Sequence, residues 1–170
     1  MKRTTIMAFG ITAGVALSAI PMAAPATAAA SPKTITCQLP PKGTEASAVA
    51  TSLVQKFFNL IKSKDSAGMK KFLDPAWLAQ TGDGTGRDRS TFPTDMPSIN
   101  AFTIDKVTAR LNGFVLTTRY LSKVDGSIAG KPYATDFAPR LSTFSYCSGA
   151  WKMVSQANFD QLRQAIQAAS

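Results

Sequence analysis

Alternation with a period of two marks the last part of the chain and predicts β-strands. From Trp151 to Phe159, residues Trp151, Met153, Ser155, Ala157 and Phe159 fall on one face, and Lys152, Val154, Gln156 and Asn158 on the other. Arg140 to Cys147 is a nearly unbroken run of aromatic and hydroxyl residues, and Ser148-Gly149-Ala150 interrupts it. Residues 140–159 therefore read as a hairpin of two long antiparallel strands. Upstream, Phe102 to Leu111 leads into Asn112-Gly113, and Phe114 to Val124 leads into Asp125-Gly126. Both dipeptides tolerate positive φ at their central positions, which predicts two tight hairpin turns. With a strand around Tyr133 to Cys147, the result is a four-stranded meander.

The earlier part of the chain changes period. Between Thr44 and Lys64, Val49, Leu53, Phe57, Leu60 and Ile61, joined by Ala46, Ala50, Val54 and Phe58, recur at helical spacing with a broad apolar face. Thr44 is placed as N-cap, and Glu45 favours the positive end of the helix dipole. Asp65 or Ser66 caps a second short helix carrying Met69, Phe72 and Leu73. Asp74-Pro75 reads as a third start, with Ala76 to Ala79 as a single helical turn bearing Trp77. Thr81 to Ser90 (TGDGTGRDRS) is Gly-rich and polar, but it lacks the Gly-Lys-Ser/Thr ending and the following helix of a phosphate cradle, so it reads as a loop. Pro93 and Pro97 keep the next residues irregular. After Phe159, Leu162, Ile166 and Ala169 predict a short polar helix over 160–170. The expected architecture is an α+β domain over 44–159: N-terminal helices packed on a strongly curved antiparallel four-stranded meander, cone-like, with a hollow between.

The ends and the cysteines set the compartment. Met1-Lys2-Arg3 is a positive start, Ile6 to Ile20 an apolar run, and Pro21 to Ala30 small and Ala-rich. That is the pattern of a secretory signal peptide over 1–30, cleaved after Ala28 or after Ala30; the competing reading is an uncleaved anchor, against which no basic stop follows Ile20. Residues 31–43 hold Pro32, Pro40 and Pro41 and read as an extended tail. Two cysteines in an exported chain, Cys37 and Cys147, imply a disulfide rather than two free thiols. It closes a loop of about 110 residues, worth roughly 4–5 kcal/mol in the chain-entropy model. Of the 19 Lys and Arg, Lys2 and Arg3 leave with the signal, so 17 basic residues stand against 10 acidic ones. They are scattered, with no interleaved aromatic motif, which argues against nucleic acid and fits a solvated surface with a loose preference for anionic lipids or wall polymers. The chain has no His at all, which excludes Asp-His dyads, Ser-His-Asp and Cys-His triads and His-based metal sites. No metal and no cofactor is expected.

The helix ending FFNLIKSKD, the turn FLDPAW, the Asp83-Gly84 pair, the strand RLSTF and the strand GAWKMVSQANF together resemble the nuclear transport factor 2-like (SnoaL-like) superfamily over Thr44 to Phe159, in particular its small bacterial members of unsettled role. The resemblance implies a cone with a ligand pocket, often dimeric through the outer sheet face. Ketosteroid isomerase-like, polyketide cyclase-like and dehydratase-like relatives use Asp/His or Asp/Tyr groups, and without His any acid-base work here falls to Asp and Tyr. Candidate ligand-binding residues are Trp77 (cone mouth, or core), Tyr120 and Tyr146 (hydroxyl donors, or ordinary strand tyrosines), Arg140 (carboxylate recognition, or a sheet-edge cap), and Gln156 and Asn158 (amide or carbonyl binding, with capping of the terminal helix as the alternative for Asn158). Trp151 is assigned to the core. Two readings follow. One is a secreted non-catalytic module that binds a small apolar ligand in the cone or a partner subunit, such as a second copy, through the sheet. The other is an isomerase, cyclase or lyase in which Asp83, Asp95 or Asp136 abstracts a proton while a Tyr steadies the oxyanion.

Overall fold

The computed structural model describes residues 36–82, 84–128, 131–132 and 136–159. The segment expected to be a signal peptide, Asp83, Tyr133 and the helix expected at 160–170 lie outside the described residues. Helix α1 (Ala46–Lys62) buries Ala50, Leu53, Val54, Phe57, Phe58 and Ile61, the three-four spacing read from the sequence. Its cap is Glu45 rather than Thr44: the Glu45 carboxylate accepts the backbone N–H groups of Ser47 and Ala48, satisfying two orphan donors at the positive end of the dipole. The Thr44 hydroxyl donates instead to the Pro41 carbonyl at 2.6 Å. Helix α2 (Ser66–Phe72) starts at the expected Asp65, whose carboxylate accepts the Gly68 N–H at 2.8 Å.

No third helical turn follows. Leu73 leaves α2 in extended geometry, and Leu73–Gln80 is a strand, β1, paired parallel to the last strand of the chain. Asp74 accepts the Ala76 N–H at 2.9 Å, so the Asp-Pro signal is satisfied locally without a helix. The register shift between Leu73 and Leu78 takes up Pro75, which has no N–H for a ladder. The other strands are β2 (Gly86–Asp88), β3 (Ser98–Asn112), β4 (Val115–Ile128), β5 (Lys131–Pro132), β6 (Ala138–Cys147) and β7 (Ala150–Asn158). The sheet order is β2-β1-β7-β6-β4-β3, with β5 paired to β4. The meander of β3, β4, β6 and β7 is there, but among the described residues the whole is a mixed seven-stranded sheet and not a four-stranded antiparallel one. The third meander strand starts at Ala138 rather than near Tyr133.

Of the two predicted turns, only the first is a turn. Asn112 pairs with Val115, leaving Gly113-Phe114 at the bend, with Gly113 at φ 60°. Asp125-Gly126 lies inside β4, opposite Ala101 and Ile99 across a bulge. Its glycine serves close approach: a Cβ on Gly126 would sit 2.1 Å from the Ser98 carbonyl oxygen. Gly126→Ala should therefore push β3 away and lower the unfolding free energy by about 2 kcal/mol; a urea midpoint equal to that of the parent would show that the strands are free to part there.

The sheet face that meets the helices is identified by ring contacts, Phe58 on Phe102 at 5.2 Å and Phe72 with Phe144 at 6.2 Å. On this inner face β4 places Leu116, Thr118, Tyr120, Ser122 and Val124, all buried, beside Ala138, Arg140, Ser142 and Phe144 of β6. A bulge between Thr143 and Phe144 alters the simple alternation read for β7. Met153 stands opposite Phe144, while Gln156 and Asn158 stand opposite Ser142 and Arg140. One extra residue, Val154, thus brings Gln156 and Asn158 onto the face that holds Met153. The Cys37–Cys147 disulfide is formed, and Gln38 and Ser148 donate across it to the carbonyls of Tyr146 and Thr36. Among the described residues no helix is long and apolar enough to cross a membrane.

Candidate functional site

Polar side chains gather on the inner face between two apolar stretches, Leu116 with Phe144 on one side and Val124 with Phe102 on the other. Tyr120 of β4 lies directly opposite Arg140 of β6, and Arg140 directly opposite Asn158 of β7. One step along, Thr118, Ser142 and Gln156 form a second such row. Directly opposed residues of neighbouring strands share a face, so four of the six ligand-binding candidates read from the sequence, Tyr120, Arg140, Gln156 and Asn158, stand side by side. The row runs from full burial at Tyr120, 2% exposed, through Arg140, 7% exposed, to half-buried Gln156 and Asn158.

The Arg140 guanidinium is aimed by a 2.7 Å hydrogen bond from Nε to the Ser122 hydroxyl. The Tyr120 and Ser142 hydroxyls are 3.3 Å apart and share a proton donor between them. Burial pushes the Tyr120 pKa up, opposed by the Ser142 hydrogen bond and by the Arg140 charge. Tyr120 is thus a neutral donor at any ordinary pH. Because its folded pKa lies above the unfolded one, the stabilisation it carries is complete below about pH 10 and falls away as pH rises through the folded value. Urea midpoints taken across alkaline pH should show this loss in the parent and much less of it in Tyr120→Phe.

Of the two places open to Trp77, the core is the one it occupies: the ring is 1% exposed and packs 5.0 Å from Phe92. Its Nε1 is buried without a hydrogen-bond partner. Trp151 is half-buried against the core and 5.2 Å from Tyr146, at the hairpin end away from the Tyr120 row. Asp95 is exposed and paired with Arg87, and Asp136 is exposed. Asp88, also exposed, has its pKa lowered by the Ser90 hydroxyl and by the Thr91 and Ser90 backbone N–H groups, the signature of a turn cap rather than a base. Sequence reasoning missed Thr118, Ser122 and Ser142. Their signal was present as small hydroxyl residues alternating through β4 and β6, but the same pattern describes a solvated face. Among the described residues no three Cys, Asp or Glu converge as metal ligands.

No family model matches the chain, and no curated protein does. Solved structures do. An NTF2-like protein from Cytophaga hutchinsonii superposes with a TM-score of 0.62 at 13% identity, over 68% of this chain and 98% of its own. The chain has the nuclear transport factor 2-like fold. An NTF2-like protein of unknown function in nutrient uptake from Rhodospirillum rubrum matches at 0.57 and 12% identity, covering 64% of this chain and 94% of its own. A ketosteroid isomerase candidate from Shewanella frigidimarina matches at 0.52 and 15%, covering 64% and 93%. At these identities what is shared is the NTF2-like architecture, helices against one face of a mixed sheet, and the inner face is where this chain keeps its buried polar row.

Proposed function

We propose that this protein is an exported, non-catalytic binding module, and that the inner-face row holds the polar end of a small, otherwise apolar molecule. The observation that carries the reading is the direct opposition of Tyr120, Arg140 and Asn158 on three adjacent strands, at the edge of a core built from Phe57, Phe72, Phe92 and Phe144. A neutral hydroxyl, a guanidinium and a carboxamide supply donors for a carbonyl or carboxylate, and the apolar neighbours suit a hydrocarbon body. The formed disulfide accords with export. Binding is favoured over an isomerase or lyase role because the described carboxylates considered as bases, Asp95 and Asp136, are exposed, and Asp95 is engaged by Arg87; a proton abstraction needs a desolvated base within reach of the substrate.

The test is native mass spectrometry of the purified protein, followed by thermal shift with matched pairs of amphiphiles that differ only in a terminal carboxylate or ketone. Stabilisation by the oxygenated member, reduced about tenfold in apparent affinity by Arg140→Met, is the expected result. Equal stabilisation by the plain hydrocarbon, or an unchanged response in Arg140→Met, would exclude the row as the binding site.

A further inference from the structure

The opposite face of the sheet carries a different pattern. On the outer side of the β3–β4 ribbon the register pairs a cation with a threonine three times: Arg110 with Thr117, Thr108 with Arg119, and Thr103 with Lys123. All six residues are exposed. Between the second and third pairs the ladder breaks in a bulge, where Lys106 adopts a left-handed φ of 50° and its side chain is exposed as well. Two carboxylates share this face: Asp105, which accepts the Lys106 N–H at 2.7 Å within the bulge, and exposed Asp125, two residues beyond Lys123, which ends the run of cations. Arg110, Arg119, Lys106 and Lys123 therefore succeed one another along the ribbon, roughly two residues or about 7 Å apart. Among the described residues none of the four makes a side-chain hydrogen bond or an ion pair; the single ion pair is Arg87 with Asp95. A shallow depression of about 420 Å3 lies beside the middle of the strip, lined in part by its Lys106, Thr108 and Arg119 and also by Tyr120, Pro139 and Arg140.

We propose that this strip docks a linear phosphodiester polymer of the polyol-phosphate kind. A row of evenly spaced cations, each but Lys106 facing a hydroxyl, matches a chain whose negative charges recur at regular intervals, since guanidinium, ammonium and hydroxyl donors together satisfy phosphate oxygens. No aromatic side chain stands among the outward residues from 103 to 110 and from 117 to 123, so nothing on the strip stacks a nucleobase, which turns the choice away from single-stranded nucleic acid. A second copy of this chain laid on the same strip across a two-fold axis sets cations against cations. The proposal is independent of the inner-face site.

The test uses the disulfide-bonded protein and end-labelled poly(glycerol phosphate), read by fluorescence anisotropy across a salt series. Binding that weakens with salt is expected. The triple variant Arg110→Gln, Arg119→Gln, Lys123→Gln should lose at least about tenfold in affinity, and its log–log salt slope should be shallower by roughly 0.7 per cation removed. These side chains are exposed, and circular dichroism verifies that the variant folds. Three results overturn the proposal: no binding; an equal loss in the off-strip triple Lys42→Gln, Lys62→Gln, Lys70→Gln, which would make net charge the whole effect; or tighter binding of single-stranded DNA carrying the same number of phosphates.

Discussion

Replacing Cys37 and Cys147 together with serine is expected to lower the unfolding free energy by about 4 kcal/mol, or roughly 15 °C in Tm. The two residues are separated by 110 positions, so the bridge removes closure entropy from almost the whole unfolded domain. It also fastens a segment with few other ties: residues 36–38 are exposed and held to the β6–β7 hairpin by two backbone hydrogen bonds beside the bridge. Cys147 sits 4% exposed at the end of β6, so serine there adds a buried hydroxyl to the entropic loss. Urea unfolding of the variant against the parent, with free thiols counted in both, measures the effect. A loss under about 1 kcal/mol would mean that the unfolded chain is already compact enough to make the bridge redundant.

The second large effect is at Trp77. Trp77→Ala should cost about 4 kcal/mol, the range for emptying a fully buried aromatic site, because the ring is 1% exposed and packs on Phe92 within the core cluster. Trp77→Phe separates shape from polarity. It keeps an aromatic ring in place and removes the indole N–H that is buried without a partner, so the desolvation penalty of that donor disappears as packing is lost, and the net change should stay within about 1.5 kcal/mol. The contrast between the two variants in urea midpoints is the measurement. If Trp77→Phe proved as damaging as Trp77→Ala, the indole nitrogen would have to be engaged in the native protein, by a buried water or a ligand atom.

Local signals were read well where one residue's preference and the fold agreed. The buried stripe of α1, the Asp65 cap, the hairpin at Ser148-Gly149 and the Cys37–Cys147 pairing all follow from side-chain chemistry within a few residues or from the compartment. The same chemistry misled where it serves two geometries. Asp74-Pro75 suits a helix start, yet Asp74 closes a small turn at the head of a strand. Asp125-Gly126 suits a hairpin, yet Gly126 lets β3 pass close to β4. In both, the partner that decides is a strand far along the chain, and no local preference records it.

The candidate residues show the same division. That Tyr120, Arg140, Gln156 and Asn158 are strand-borne polar groups in an apolar setting, and that a chain without His has no His-based dyad or triad, was legible from residue types alone. That they stand on one face, in register, was not. The Val154 bulge moves Gln156 and Asn158 across the sheet relative to a strict alternation, and the pairing of β4, β6 and β7 sets Tyr120, Arg140 and Asn158 abreast. Periodicity reports which residues alternate, because each strand's pleat is a local property; register and bulges are settled by how several strands fit over one core, and only the folded sheet holds that information.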